Sequence, residues 1–265
     1  MIRIGALISG TGTNMTAVLD ACQAGNIDGT MVFVGADNAG AAGLDRARKA
    51  GVPTFFVDYR QIIREARQAP ERQVPDTLIV PDDFDMTSVF RKTALLPGEF
   101  PDDRARAFLA TRAVAEHQLL SHMSAYPFDL LILAGFMRNL TPYFIDRVNT
   151  DPEHPRIMNI HPALLPSFPG VDGYGDTFRY GCKIGGCTVH FIAYGEDTGP
   201  IIGQRAFDIL PDDTIDSVRK KGLSLEWQLY PECVQLFAED RLRVKKCVYE
   251  LADGRSMERM VVDIS

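Results

Sequence analysis

This chain of 265 residues lacks an excess of positive charge, a metal-binding cysteine pattern and any long apolar run. Its 28 Lys and Arg residues against 35 Asp and Glu residues give a net charge of −7. That balance argues against a nucleic-acid-binding surface, which needs clustered Lys and Arg, but it permits a local pocket for a phosphate. The five cysteines are odd in number and match no zinc-ligand spacing, so we expect reduced thiols and no bound metal.

No apolar stretch approaches the roughly 18 residues that a membrane-spanning helix requires. Met1 leads directly into a strand pattern, without the basic segment and cleavage site of a secretory signal. We therefore expect a cytoplasmic protein, monomer or homodimer, that binds neither membranes nor nucleic acid. The hydrophobic fraction of 46% is ordinary for a globular protein.

Strand and helix patterns alternate from the first residues onward. Strand patterns at 2–9, 31–36 and 53–57 enclose helix patterns at 15–24 and 43–50. This order predicts an α/β fold with an open, mostly parallel twisted sheet and helices on both faces. Later patterns predict strands at 129–135, 157–162, 187–193 and 201–209, helices at 59–69, 104–125, 177–182 and 213–238, and a hairpin of 241–249 with 257–262.

The predicted organisation is a single domain over residues 1–265 with two additions to the alternating pattern. A proline-rich segment at about 60–103, with the acidic run Asp82-Asp83-Phe84-Asp85, reads as an irregular insertion. A lid or an oligomer contact would suit it, and the acidic run is typical of a solvated loop. A C-terminal extension begins at about residue 241.

A glycine turn, Ser9-Gly10-Thr11-Gly12-Thr13-Asn14, joins the first strand to the first helix. Backbone N–H groups of such a turn, together with the helix N-terminus, can bind a phosphate. A dinucleotide fingerprint would want a third glycine where Met15 stands, which favours a monophosphate and disfavours a nucleotide-dependent oxidoreductase. A tight turn capped by Thr13 or Asn14 explains the pattern equally well.

Asn159 and His161 stand at the end of the apolar strand pattern that Pro162 terminates. Residues two apart in a strand point to the same face, and open α/β sheets bind ligands at the carboxyl ends of their strands. With Asp197, in Asp197-Thr198-Gly199-Pro200, these side chains suit acyl transfer: the amide can stabilise an oxyanion and the imidazole can move protons. A strand end with a hydrogen-bonded histidine is the structural alternative, and the tripeptide alone favours it.

Four blocks of the chain together resemble the folate-dependent formyltransferases, and among them the branch that formylates glycinamide ribonucleotide. They are Ile8-Ser9-Gly10-Thr11-Gly12-Thr13-Asn14, Leu133-Ala134-Gly135-Phe136-Met137-Arg138, Asn159-Ile160-His161-Pro162-Ala163-Leu164-Leu165-Pro166 and Asp197-Thr198-Gly199-Pro200-Ile201-Ile202. The resemblance spans most of the chain, apart from the insertion and the last twenty or so residues. It implies a Rossmann-like fold of the formyltransferase type and a place in purine biosynthesis.

The resemblance also implies the reaction and the residues. It implies that 10-formyltetrahydrofolate supplies a formyl group, that the primary amine of a phosphorylated small molecule receives it, and that Asn159, His161 and Asp197 are catalytic. The implied substrate-binding residues are Gly12, Thr13 and Asn14 for the phosphate and Glu226 for the glycinamide end. The implied folate-binding residues are Met137, Arg138, Asn139, Leu140, Asn159 and Asp197, with the loop 193–197.

Three positions depart from the family pattern, all on the amine side. Asp172 and Tyr174 stand where histidines are expected, and Leu223 stands where a polar residue is common. A formyltransferase for a different phosphorylated or sugar amine, or a non-catalytic folate-binding homologue, is therefore kept as an alternative. A methionyl-tRNA formyltransferase is disfavoured because too little chain remains for its second domain.

Overall fold

Nine strands and eight helices are formed by the residues that the computed structural model describes, which are 1–68, 79–96, 98 and 102–265. In chain order they are β1 (Ile2–Ile8), α1 (Thr13–Gln23), β2 (Gly29–Ala36), α2 (Ala42–Lys49), β3 (Thr54–Phe56), α3 (Tyr59–Gln68), α4 (Met86–Lys92), α5 (Asp103–Met123), β4 (Leu130–Leu133), α6 (Pro142–Val148), β5 (Ile157–His161), α7 (Gly173–Arg179), β6 (Ile184–Phe191), β7 (Ile201–Asp208), α8 (Ile215–Ala238), β8 (Leu242–Glu250) and β9 (Ser256–Ile264).

Seven of the strands form one sheet in the order β3-β2-β1-β4-β5-β6-β7. The first five are parallel, whereas β6 and β7 run antiparallel to their neighbours. The predicted mostly parallel sheet is thus confirmed. The chain proceeds outward from β1 to β3 and then returns to β4 on the other side of β1, which creates a topological switch point between β1 and β4. Crevices at such points are where open α/β sheets bind ligands.

Helices cover both faces of the sheet. Successive side chains of a strand point to opposite faces, and both sets are buried under helices. Ile4, Ala6 and Ile8 of β1 pack with α1, α2 and α8 in one core cluster. Leu7 packs on the other face, where the second cluster includes residues of α3, α5 and α6. None of the helices in the described residues is both long and apolar enough to cross a membrane.

Part of the insertion is helical, contrary to the expectation of an irregular segment, whereas the acidic residues Asp82, Asp83 and Asp85 before the helix are exposed. Asp85 caps α4, its carboxylate accepting from the backbone N–H groups of Thr87 and Ser88 at 3.0 Å each. Val89 and Phe90 of α4 are buried against Leu109 of α5. The irregular stretches expected around Pro70, Pro75, Pro97 and Pro101 lie at 69–78, 97 and 99–101, outside the described residues.

Helix α6 begins at Pro142, and the side chain of Thr141, the residue before it, does not cap the helix. The Thr141 hydroxyl instead donates to Glu116 Oε2 at 2.6 Å, and its backbone N–H donates to Glu116 Oε1 at 2.8 Å. Glu116 is fully buried. Burial raises the pKa of Glu116 to about 7, against the opposing effect of the Thr141 hydrogen bonds.

Two further boundaries differ from the sequence patterns, and one agrees. Helix α7 covers Gly173–Arg179 rather than 177–182. Helix α8 begins after Thr214, which forms a capping box with Ser217. Strands β8 and β9 form the expected terminal hairpin, a two-stranded sheet separate from the main one.

Candidate active site

An open cleft lies at the carboxyl ends of β4 and β5, beside the switch point. Its cavity volume is about 380 Å³, within the roughly 300–1,000 Å³ of a typical ligand pocket. The residues of the sequence motifs meet here with residues of the insertion and of α8. The lining includes Asn14, Leu95, Met137, Arg138, Asn139, Leu140, Asn159, His161, Asp172, Tyr174, Asp197, Arg219, Leu223 and Glu226.

Asn159 and His161, two apart on β5, both line this cleft, as the strand period predicts. The imidazole of His161 is nearly buried, at 3% exposure. Its Nε2 lies 2.8 Å from the carbonyl oxygen of Phe168, and its Nδ1 lies 3.2 Å from Asp197 Oδ2. Both neighbours are acceptors, so a doubly protonated ring satisfies both positions at once.

The loop that carries Asp197 is held against β5 by its backbone conformation. Asp197 has a φ of 52°, in the left-handed region that few non-glycine residues adopt. A Cβ atom on Gly199 would lie 1.7 Å from the carbonyl oxygen of Phe191, so only glycine allows this approach. Gly170 donates its N–H to Asp197 Oδ2 at 2.9 Å, which leaves that oxygen shared between Gly170 and His161.

His190, opposite Asn159 on β6, orients the Asn159 amide. Its Nδ1 lies 2.8 Å from the carbonyl oxygen of Phe191 and must donate to it. Burial lowers the pKa of His190, as does the neighbouring His161, so the ring is neutral and its Nε2 accepts. Asn159 Nδ2 lies 3.3 Å from that Nε2. One N–H of Asn159 therefore donates to His190, and the other is free to serve a ligand.

Asn14, Tyr174 and Glu226, which we call the Glu226 cluster, form a buried polar group on the opposite side of the cleft. Glu226 is 4% exposed. Its Oε2 accepts from Asn14 Nδ2 and its Oε1 from the Tyr174 hydroxyl, both at 2.6 Å. Burial and the Glu226 charge raise the pKa of Tyr174 far above its usual range. The Asn14 Oδ1 atom is buried and has no hydrogen-bond partner in the described part of the chain.

The glycine turn places Asn14 in the cleft, while Gly12 and Thr13 lie behind it at the start of α1. Gly12 occupies the position before the helix with a φ of 65°. Neither Thr13 nor Asn14 caps α1, since no side-chain cap is formed there. The turn packs against α2, where Gly43 donates its N–H to the Gly10 carbonyl oxygen at 3.0 Å.

The segment from Met137 to Leu140 follows β4 and lines the cleft throughout. The Met137 N–H donates to Ser9 Oγ at 2.8 Å, tying the segment to the glycine turn. The Arg138 Nε donates to the buried carboxylate of Asp37 at 2.6 Å, and this pair fixes the direction of its guanidinium. Ser9 directly follows β1 and Asp37 directly follows β2, so both anchors lie at the carboxyl ends of neighbouring strands.

Asp172, Arg219 and Leu223 line the cleft together with the Glu226 cluster. Asp172 accepts from Arg179 Nη2 at 2.8 Å and from Arg219 Nη2 at 3.1 Å, and these two guanidinium groups lower its pKa. Sequence reasoning missed Arg219, although Arg219, Leu223 and Glu226 share one face of α8 at helical spacing. It also missed Leu95, for which the insertion offers no sequence signal.

No group of three or more His, Cys, Asp or Glu residues suited to a metal ion occurs among the described residues. The donor set of the cleft is therefore one of hydrogen-bonding groups: amide, imidazole, carboxylate and backbone N–H. Such a set suits charge stabilisation at a carbonyl and proton transfer.

Comparisons with known proteins identify the family of this chain. The family model described as formyl transferase matches residues 2–234. Phosphoribosylglycinamide formyltransferase of Haemophilus influenzae is 30% identical over 259 residues, covering 98% of this chain and 97% of the relative. The solved structure of glycinamide ribonucleotide transformylase 1 from Symbiobacterium toebii is 35% identical, with a TM-score of 0.69, covering 100% of this chain and 94% of that chain.

A third relative is much longer than this chain. The trifunctional purine biosynthetic protein adenosine-3 of Drosophila melanogaster is 32% identical over 236 residues, which cover 88% of this chain and 14% of the relative.

Proposed function

The chain belongs to the formyl transferase family, and we propose that it transfers the formyl group of 10-formyltetrahydrofolate to the primary amine of glycinamide ribonucleotide in purine biosynthesis. The observation that carries this proposal is the meeting of an amide, an imidazole and a carboxylate in one cleft. His161 Nδ1 lies 3.2 Å from Asp197 Oδ2, and Asn159 lines the same cleft two residues before His161.

The cleft suits two substrates because its two sides differ in chemistry. The side formed by Met137–Leu140 and residues 193–197 carries backbone amides and apolar side chains, which favour a planar ring system such as a pterin. We assign the folate to this side, with Arg138, Asn139, Asn159 and Asp197 supplying polar contacts. The fit rests on the residues present and on the size of the cleft.

The other side suits a phosphorylated amine. The first N–H groups of α1 have no intrahelical acceptor and carry a partial positive charge, which favours a phosphate. We assign the phosphate to Gly12, Thr13 and Asn14, and the amine-bearing end to the Glu226 cluster. Asn14 lines the cleft and donates to Glu226, so it joins the two parts of this side.

The transfer forms one bond and breaks one. The amine nitrogen bonds to the formyl carbon, the bond from that carbon to N10 of the folate breaks, and the amine proton ends on the departing nitrogen. Bound 10-formyltetrahydrofolate supplies the electrophilic carbon. Negative charge develops on the formyl oxygen during the transfer, so the protein must place donors there.

Asn159 and His161 supply those donors in our proposal. His190 takes one N–H of Asn159, which directs the amide nitrogen and leaves the second N–H for the oxygen. The doubly protonated ring of His161 adds a positive charge beside it. One oxyanion donor of this kind typically accounts for about 10²–10³ in rate.

Asp197 has two roles in our proposal: it stabilises the charged imidazole of His161, and it helps to remove the proton of the attacking amine. Its Oδ2 accepts from His161 and stabilises the charged imidazole. Its Oδ1 lies 3.6 Å from His190 Nε2, beyond hydrogen-bond length. That oxygen can bind a water that takes the proton from the attacking amine.

The assay combines the pure protein with 10-formyltetrahydrofolate and glycinamide ribonucleotide and follows the absorbance change of the folate. We expect turnover, and we expect Asn159→Ala to lose about 10²-fold in kcat while it keeps its fold by circular dichroism. A folded wild-type protein without turnover would contradict the proposal. Near-normal turnover of Asn159→Ala would remove Asn159 from the mechanism.

A different amine acceptor is the second candidate, and the Glu226 cluster favours it. Tyr174 and Asn14 already occupy both carboxylate oxygens of Glu226, where a histidine was expected at position 174. Other phosphorylated or sugar amines, substituted in the same assay, test this candidate. Activity with another amine alone would keep the chemistry and change the acceptor.

The single-domain organisation, the oligomeric state and the cytoplasmic location stay predictions.

A further inference from the structure

We propose that the insertion forms part of the folate side of the cleft, with Leu95 as a residue that contacts the folate ring system. Residues 92–95, which we call the strap, connect α4 to the rim of the cleft. This inference rests on the proposed function, because it takes the folate to lie beside residues 193–197. It adds a binding residue from a segment to which sequence analysis assigned no binding residue.

Helix α4 gives the strap a fixed origin. Val89 and Phe90 are 6% and 5% exposed, and they pack with Leu109 of α5 and Tyr143 of α6. The Tyr143 hydroxyl donates to Asp83 Oδ1 at 3.0 Å. The residues before and within α4 are therefore bound to two helices of the main domain. This packing holds the start of the strap in place.

The strap is joined to the Asp197 loop through its backbone. The N–H of Ala94 donates to the carbonyl oxygen of Tyr194 at 3.0 Å. A Cβ atom placed on Gly195 would lie 3.3 Å from the Ala94 Cβ atom, which shows how closely the two backbones approach. Tyr194 and Gly195 directly precede Glu196 and Asp197.

Side chains reinforce this junction around Asp146 of α6. The Lys92 Nζ and the Tyr194 hydroxyl each donate to a different oxygen of the Asp146 carboxylate, both at 2.5 Å. The bond to Asp146 and partial burial raise the pKa of Tyr194 to about 12, with burial the larger cause. One carboxylate thus connects the strap, the Asp197 loop and a core helix.

Leu95 extends from this junction into the cleft, where it lines the cavity together with Ala193 and Gly195. Its side chain has no polar atom, so it can contribute only apolar contact to a ligand. On this side of the cleft the planar rings of a folate offer such a surface, whereas the glutamate tail and the amine substrate are charged or polar. Leu95 therefore selects for the ring system.

The test measures binding of tetrahydrofolate, which carries no formyl group, by isothermal titration calorimetry of the full-length protein. We expect Leu95→Ala to raise the Kd for tetrahydrofolate about tenfold, the usual effect of apolar groups removed from a ligand pocket. Leu95→Met, which conserves volume, should keep the Kd within about twofold of the wild-type value. The KM for the amine substrate should not change in either variant.

Leu96→Ala is the matched control. Leu96 packs against the apolar cluster that contains Val89 and Phe90, and it does not line the cleft. It should lower the melting temperature at least as much as Leu95→Ala does and leave the Kd unchanged. Equal increases of Kd in both variants would mean that general loosening, not contact with the ligand, causes the effect. That outcome, or an unchanged Kd in Leu95→Ala, overturns the proposal.

The outcomes separate this inference from the proposed function. If the wild-type protein transfers formyl groups and Leu95→Ala binds tetrahydrofolate normally, the inference fails and the function stands. If the protein binds tetrahydrofolate in a Leu95-dependent way but transfers no formyl group, the function fails and the inference stands. A wild-type protein that does not bind tetrahydrofolate contradicts both.

Discussion

Tyr174→Phe removes a single oxygen from the Glu226 cluster and leaves the aromatic ring in place. The ring fits against Gly222 of α8, where a Cβ atom would lie 2.1 Å from the Tyr174 Cζ atom. Tyr174 is 5% exposed, and its hydroxyl donates to Glu226 Oε1 at 2.6 Å. The variant therefore isolates the effect of one buried hydrogen bond to a carboxylate.

The expected loss of stability depends on the charge of Glu226, which accepts the hydrogen bond. A hydrogen bond to a charged group contributes about 1.5–3 kcal/mol to stability. Glu226 lines the cleft, so water can reach its freed oxygen and offset part of the loss. We expect the free energy of unfolding to fall by about 1.5 kcal/mol, the lower end of that range.

In kinetic assays, we expect the variant to change the KM for the amine substrate. With one donor gone, the Glu226 carboxylate can rotate away from the direction in which Tyr174 holds it. We expect the KM for the amine to rise about tenfold, which corresponds to about 1.4 kcal/mol. The Kd for tetrahydrofolate, on the other side of the cleft, should not change.

Urea unfolding and steady-state kinetics at varied amine concentration measure both quantities. Tyr249→Phe is the matched control, because Tyr249 is 46% exposed on the terminal hairpin, outside the cleft. It should match the wild type in both assays. If Tyr174→Phe also matches the wild type in both, the short bond to Glu226 contributes neither stability nor substrate binding, and our reading of the Glu226 cluster is refuted.

Three other changes address separate parts of the molecule. Asp197→Asn removes the charge beside His161 and should lower kcat at least about 10²-fold while the fold by circular dichroism is retained; near-normal kcat would exclude a catalytic role. Gly199→Ala would place a Cβ atom 1.7 Å from the Phe191 carbonyl oxygen, so kcat and melting temperature should both fall; unchanged values would contradict the close approach. Because the pKa of Glu116 is raised by burial from 4.5 to about 7, the folded protein holds a proton that the unfolded chain releases between these values. Stability should therefore decrease as pH rises through this window, by about 3 kcal/mol. Glu116→Gln should remove that dependence in urea unfolding at about pH 5 and about pH 8; an equal slope in both proteins would contradict it.

The parallel sheet could be predicted because its strands are buried on both faces. Strands such as β4 contain only apolar residues, and they alternate with amphipathic helices at regular intervals. The position of Asn159 and His161 followed from the same pattern, since β5 ends at His161. The meeting of these residues with Asp197 could be proposed only through the family resemblance, because 36 residues separate Asp197 from His161.

Helix α7 was misplaced because glycines stand at its start. Glycine lowers helix propensity by about 1 kcal/mol relative to alanine, so the pattern seemed to begin at Thr177. Gly173 is required by packing, because a Cβ atom there would lie 2.6 Å from the Pro162 carbonyl oxygen. Contacts distant in sequence thus determine where this helix begins.

The role of the insertion could not be predicted, because its polar contacts join distant parts of the chain. Asp83 bonds to Arg147, and Lys92 bonds to Asp146. Proline and acidic residues dominate the local composition and suggest a solvated loop. The Asp85 cap before an apolar pair was a usable signal for α4.

The two histidines of the cleft differ in the hydrogen-bond partners of their ring nitrogens. Asp197 lies 3.2 Å from His161 Nδ1 and 3.6 Å from His190 Nε2, so one carboxylate faces two imidazoles. His190 accepts from Asn159 and therefore cannot be protonated at Nε2, whereas both nitrogens of His161 face acceptors. His190 thus orients the Asn159 amide as a hydrogen-bond acceptor, whereas His161 faces an acceptor at each of its two ring nitrogens.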